Sequence, residues 1–272
     1  MQVWPLTGNK LRVGRIPYAN LFPIFYMMEK QGIRSRCDII EGVPSELNRE
    51  LREGRIDISP SSSIEHLRHP DRYDIIRNHS ISADGPIRSI FLFSRMPLEA
   101  LDGKTILTSS QSETSAALVK IICRKFYKVS CTFVSSAAPI ADALRSYPAY
   151  MLIGDDAIGQ SGKWPDLHVY DLGSIWKQHT GLPFTYALWI VRKECAAAAT
   201  EALAAFIADL DMARERSRSR LREIAEAWPL RDMISTDDLI AYWKGISYDL
   251  TDEHRKGLAL FGQYADELGL LS

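Results

Sequence analysis

The sequence predicts an α/β fold built as two lobes with a cleft between them, and three observations carry that reading. Strand and helix signals alternate from Leu11 to Val191, the β-α-β rhythm of a parallel sheet covered by helices. The rhythm restarts after Gly85, so a crossover near residues 85–94 and a return near 183–186 divide the chain into 1–88 plus 186–272 and 89–185. Polar loops fall at the predicted strand ends, which is where open α/β sheets bind their ligands. At 272 residues the chain is long enough for two lobes with separate cores.

Residues 11–14 alternate apolar with small or polar side chains and read as a first strand, and 21–31 read as a helix that ends near Gly32. A second strand is expected at 37–40. The helix over 44–53 has Ser45 as candidate N-cap, Glu46 and Glu50 early, and Gly54 beyond its last turn. A third strand, 55–59, opens into Pro60-Ser61-Ser62-Ser63, with a helix beginning near Ile64. Ile90, Phe91, Leu92 and Phe93 make 89–94 an apolar strand, and 97–101 reads as a short turn or helix. The strand 104–108 enters the polar loop 109–115, and a helix is expected over 116–127. Strands at 131–134 and 150–153 flank a helix at 140–146. Beyond the strand 186–191, residues 194–228 and 237–271 read as largely helical; the alanine run 196–199 is helix-forming sequence.

Composition narrows the partners. Hydrophobic residues make up 46% and charged residues 25%, and the formal net charge of −1 gives no electrostatic basis for nucleic acid or an anionic membrane as partner. No apolar run approaches the ~18 residues of a membrane-spanning helix. The first ten residues lack the pattern of a secretory signal, so a cytoplasmic protein is expected. Cys37, Cys123, Cys131 and Cys195 are scattered without a C-x-x-C pair, and His66 with His69 makes no ligand set; neither disulfides nor a metal site are expected. There is no G-x-G-x-x-G, Walker loop, G-x-S-x-G or H-E-x-x-H, and no cofactor is implied. The expected partner is a small molecule, met by a monomer or a homodimer.

Four polar clusters stand at strand ends. Arg15 and Asn20 lie in R-I-P-Y-A-N-L-F-P, where Pro17 and Pro23 bracket the amide; Asn20 either faces a ligand or bonds its own turn. Ser61, Ser62 and Ser63, with the N–H groups of a helix start, suit a carboxylate or else cap that helix. Ser89 follows Gly85-Pro86-Ile87-Arg88 as a cleft-facing hydroxyl or an exposed hinge serine. The loop 109–115 carries Ser109, Ser110, Gln111, Ser112, Glu113, Thr114 and Ser115. Ser110 with Glu113 fits a capping box, and the other hydroxyls suit a carboxylate or ring hydroxyl. Asp155 and Asp156 end the strand 150–153, one of them as a local cap, and Thr180-Gly181-Leu182-Pro183-Phe184 reads as a shaped cleft wall.

In order along the chain, R-I-P-Y-A-N-L-F-P (15–23), G-V-P-S-E-L-N (42–48), R-I-D-I-S (55–59), G-P-I-R-S-I (85–90), S-E-T-S (112–115), I-G-D (153–155) and T-G-L-P-F (180–184) resemble one family. It is the chorismate dehydratase family, MqnA, of the futalosine pathway of menaquinone biosynthesis. The resemblance implies a periplasmic-binding-protein type II fold: two α/β lobes closing on the substrate. It implies loss of water from chorismate to give 3-[(1-carboxyvinyl)oxy]benzoate, with no cofactor. By similarity, Asn20 and Ser89 match the family's active-site asparagine and serine. Arg15, Ser61, Ser62, Ser112, Thr114, Ser115 and Asp155 are expected to bind the substrate. Tyr18-Ala19-Asn20 replaces the commoner tyrosine-leucine-asparagine, which should enlarge a wall and leave the chemistry unchanged.

Neither Asn20 nor Ser89 is basic near neutral pH, so the expected elimination is substrate-assisted, with the side-chain carboxylate of chorismate taking the ring proton. Two alternatives remain. One is a non-catalytic two-lobed protein that binds a small acid. The other is the sister 1,4-dihydroxy-6-naphthoate synthase, which relies on a histidine in its second lobe; this chain has none between His79 and His168.

Overall fold

The computed structural model describes residues 10–230 and 232–272; the reading of the first ten residues as free of a secretory signal falls, Lys10 apart, outside the described residues. The first half-chain runs β1 (Leu11–Arg15), α1 (Phe22–Lys30), β2 (Cys37–Glu41), α2 (Pro44–Arg52), β3 (Ile58–Ser62), α3 (Ser63–Arg68) and β4 (Tyr73–Ala83). A second set follows: β5 (Ile90–Ser94), β6 (Thr105–Ser109), α4 (Glu113–Ile121), β7 (Thr132–Ser136), α5 (Ile140–Ser146), β8 (Ala149–Ile153), α6 (Gly154–Gln160), β9 (His168–Asp171) and α7 (Leu172–Thr180). Then come β10 (Phe184–Arg192), α8 (Lys193–Ala198), α9 (Thr200–Ser219), α10 (Leu221–Ala227), α11 (Thr236–Gly245) and α12 (Asp252–Glu267).

The strands form two five-stranded sheets, ordered β2-β1-β3-β10-β4 and β7-β6-β8-β5-β9. In the first, β1 runs parallel to β2 and β3, while β10 is antiparallel to β3 and β4. In the second, β6 runs parallel to β7 and β8, while β5 is antiparallel to β8 and β9. The expected parallel sheet is therefore mixed in both lobes. In each, the reversed strand is the one that arrives from the other sheet, since a chain crossing the gap enters from the opposite end.

Local chemistry explains where several elements begin. Pro44, not Ser45, opens α2: proline suits the first helical position, and the Glu46 carboxylate reaches back to the Val43 N–H at 3.4 Å. Ser112, not Ser110, caps α4, accepting from the Ser115 N–H at 3.3 Å, and Glu113 is drawn off to pair with Arg68. The third strand lies later than expected, so Ser61 and Ser62 are inside β3. β4 and β9 had no counterpart in the sequence reading.

Each sheet buries its middle strands: Val13, Ile58, Leu188 and Ile190 in the first, Leu92, Phe93, Ile106 and Met151 in the second, all fully buried. Burying each such side chain contributes roughly 1.5–3 kcal/mol. α12 packs on β10, α3 and α4, and so touches elements of both sheets. Its Phe261 meets Phe184 edge-on at 5.0 Å, and Phe184 meets Trp176 of α7 in the same way at the same distance.

Candidate functional site

The strand-end loops of the two sheets face each other across a cavity lined by residues of both. Its polar wall is uncharged: Asn20, Ser62, Ser89, Ser112 and Ser115, with the tyrosines Tyr18 and Tyr186; the remaining wall is aliphatic apart from Pro44 and Gly154. Burial raises the phenol pKa of both tyrosines, so neither is a base near neutral pH.

Asn20 sits on the loop after β1. That loop is held from outside. The Asp155 carboxylate accepts from the Ala19 N–H at 2.9 Å, Trp243 Nε1 donates to the Ala19 carbonyl at 2.7 Å, and the Tyr248 hydroxyl donates to the Asn20 carbonyl at 2.7 Å. None of these bonds uses the Asn20 side chain. Its Oδ1 is buried and without a partner among the described residues, so the amide is not spent on its own turn.

Ser89 is buried and lines the cavity, which answers the alternative of an exposed hinge serine. It follows Arg88, whose φ of +59° is left-handed. Asp171 stabilises that turn by accepting from the N–H groups of Ile87 at 3.2 Å and Arg88 at 2.7 Å. Behind Ser89, the Tyr242 hydroxyl donates to its Oγ at 3.1 Å.

Ser112 and Ser115 present the start of α4. Ser112 gives its proton to Ser115 Oγ at 3.1 Å, which leaves the Ser115 proton for the cavity. Ser62 lines the opposite wall and makes no side-chain cap on α3.

Four expected site residues are not on the wall. Arg15 is paired with Glu29 at 2.6 Å and Glu41 at 3.5 Å, because two acids flank the guanidinium where β1 leaves the sheet. Ser61 points to the other side of β3 from Ser62, as strand alternation requires, and its hydroxyl is buried without a partner among the described residues. Thr114 accepts from the Ile64 N–H at 3.2 Å and lies 3.4 Å from the Ser63 hydroxyl, tying α4 to α3. Asp155 stands behind the Asn20 loop, and burial pushes its pKa up to about 6.

Sequence reasoning missed Tyr242, Trp243 and Tyr248, which reach the site from the helical tail; three aromatics within residues 242–248 are the only trace they leave in the sequence. The lobes meet closely here. The Tyr18 hydroxyl bonds Gln111, and Gln111 in turn donates to Asp156 at 3.3 Å. Gly154 has φ +60°, and a Cβ there would sit 3.1 Å from the Tyr18 ring.

All four cysteines are free and buried. Among the described residues, no group of His, Cys, Asp and Glu is placed to hold a metal ion, and no helix is long and apolar enough to cross a membrane. What the cavity offers is neutral hydrogen-bond donors around a ligand enclosed by apolar walls.

A family model described as menaquinone biosynthesis matches residues 11–267. The chain is 29% identical to a chorismate dehydratase of Thermus thermophilus over 93% of this chain and 93% of that protein. It is 24% identical to the 1,4-dihydroxy-6-naphthoate synthase of the same organism, over 96% and 95%. The solved periplasmic aliphatic sulphonate-binding protein SsuA of Escherichia coli superposes with a TM-score of 0.68 at 13% identity, covering 97% of this chain and 89% of that one. That likeness is one of fold: two α/β lobes of the periplasmic-binding-protein kind.

Proposed function

The chain belongs to the menaquinone-biosynthesis family, and on that premise we propose that its cleft dehydrates chorismate to 3-[(1-carboxyvinyl)oxy]benzoate, a hydro-lyase reaction of the cytoplasm. The observation that carries the proposal is the wall itself: hydroxyls and one amide whose oxygen is unpartnered, with no basic side chain among the described residues that line it. We assign residues 1–88 plus 186–272 to one lobe and 89–185 to the other, supported by the return of β10 to the first sheet.

The substrate supplies what the wall lacks. Its ring proton beside the enol-ether oxygen passes to its own side-chain carboxylate, held in reach by Asn20. The resulting charge is shared with the ring carboxylate, which Ser62 and Ser115 bind, Ser112 donating to Ser115 from behind, aided by the positive end of the α4 dipole. Ser89 donates a hydrogen bond to the departing hydroxyl, which leaves as water with the proton taken from the ring, and the ring becomes aromatic. The protein's contribution is orientation and exclusion of solvent. Arg15, Ser61, Thr114 and Asp155 serve in this reading as frame around the substrate.

The dehydratase reading is favoured over the sister synthase because no histidine is among the described residues that line the cavity. Purified protein mixed with chorismate should yield a product lighter by one water with an aromatic spectrum. Chorismate recovered unchanged from folded protein would replace this reading with a binding protein or the synthase.

A further inference from the structure

We propose that Tyr242 is a positioning residue for the reaction, directing the Ser89 proton into the cleft. The inference rests on the dehydratase reading above. The Tyr242 hydroxyl donates to Ser89 Oγ at 3.1 Å, and both side chains are buried. A serine hydroxyl has one proton and two lone pairs. With one lone pair occupied by Tyr242 from behind, the Ser89 proton is left for the cavity that Ser89 lines. Without Tyr242 the hydroxyl can rotate and offer the substrate a lone pair in place of a proton, which would stabilise nothing on a departing hydroxide.

Tyr242 itself does not line the substrate cavity. It belongs to the wall of a second cavity on the far side of the 87–89 strap, with Arg88, Phe91 and Met233. Tyr242 therefore acts on the substrate through Ser89. Its place is secured by its neighbour: Trp243 is bonded to the Ala19 carbonyl, so α11 is fixed to the lobe-one loop while Tyr242 reaches Ser89, the residue before the lobe-two strand β5. One helix turn thus holds the two sides of the reaction in register.

The test is a double-mutant cycle on Tyr242→Phe and Ser89→Ala, with chorismate as substrate. Tyr242→Phe keeps the ring and removes only the donor. Its kcat should fall about tenfold, the loss of one orienting hydrogen bond, while KM stays within about twofold. In the Ser89→Ala background the same change should cost nothing further. Unaltered kcat in Tyr242→Phe, or an equal loss in both backgrounds, overturns the proposal, because a merely structural tyrosine would harm both proteins alike. If Tyr242→Phe melts early, 3-fluorotyrosine at position 242 keeps the donor, and it must retain wild-type kcat for the proposal to stand. A wild-type protein that leaves chorismate intact would instead sink the dehydratase reading, and this assignment with it.

Discussion

Asn20 offers a carbonyl oxygen with no partner among the described residues, on a loop whose residues 19 and 20 are held through their backbone. Asn20→Ala should therefore leave the loop in place and lower kcat by on the order of 10²-fold, with the melting temperature unchanged; full kcat would remove Asn20 from the mechanism. Asp155 supports the same loop at a cost. Burial raises its carboxyl from 3.8 to about 6. A carboxyl raised in this way holds its proton more tightly in the folded state than in the unfolded chain. Its contribution to stability is therefore present below about pH 4 and is lost as pH rises through about 6. Asp155→Asn keeps an acceptor for the Ala19 N–H and removes the charge. It should raise the melting temperature by several degrees at pH 8 and by nothing at pH 4, the difference being about 2 kcal/mol at most. Equal gains at both pH values would show that the charge is irrelevant.

At the level of the elements, the motif R-I-D-I-S turns out to be structural. Asp57 is buried and receives the Arg12 backbone N–H and Nε at 2.9 Å each and Nη2 at 2.6 Å, clamping β1 to the loop before β3. Asp57→Ala strands that guanidinium and should destabilise the fold by about 3–5 kcal/mol, measured by urea unfolding. Among the strands that could be read from the sequence, β5 and β8 are apolar runs and β1 an apolar alternation, all in sheet interiors. β4 and β9 could not, because the charged and polar residues they carry break the apolar pattern; edge position alone does not hide a strand, since β2 and β7 are edges as well and are legible. β4 carries Asp74, Arg77, Asn78 and His79 and bends at Asn78, whose φ is +64°. Its far edge is covered by residues 247–248, with Ser80 N–H on the Tyr248 carbonyl at 3.1 Å and Ser82 N–H on the Ser247 carbonyl at 2.9 Å. The site divides in the same way. Asn20, Ser62, Ser89, Ser112 and Ser115 stand at or beside strand ends, where pattern points. Tyr242 and Tyr248 are brought in by helix packing over more than 150 residues, which no local pattern encodes.

At the scale of the whole molecule, the lobes are closed on each other by contacts that do not involve a ligand: Tyr18 with Gln111, Ala19 with Asp155, Arg68 with Glu113 and Ile64 with Thr114. Gly154 lets Tyr18 lie flat against lobe two, since a side chain there would meet the ring and would also strain a left-handed backbone. Gly154→Ala should cost about 1–2 kcal/mol of stability and force Tyr18 aside, raising KM for chorismate about tenfold with a smaller change in kcat; an unchanged KM would mean closure does not pass through this contact.

The order of strands also governs when the site comes into being. A ribosome makes β3 and β4 long before β10, the strand that lies between them, so the first sheet waits with an open slot while the whole second sheet is synthesised. Tyr242 and Tyr248 emerge later still. A nascent chain therefore carries Asn20 and Ser89 for most of its synthesis without the groups that fix them. The groups that fix Asn20 and Ser89 are thus made after both sheets have been completed.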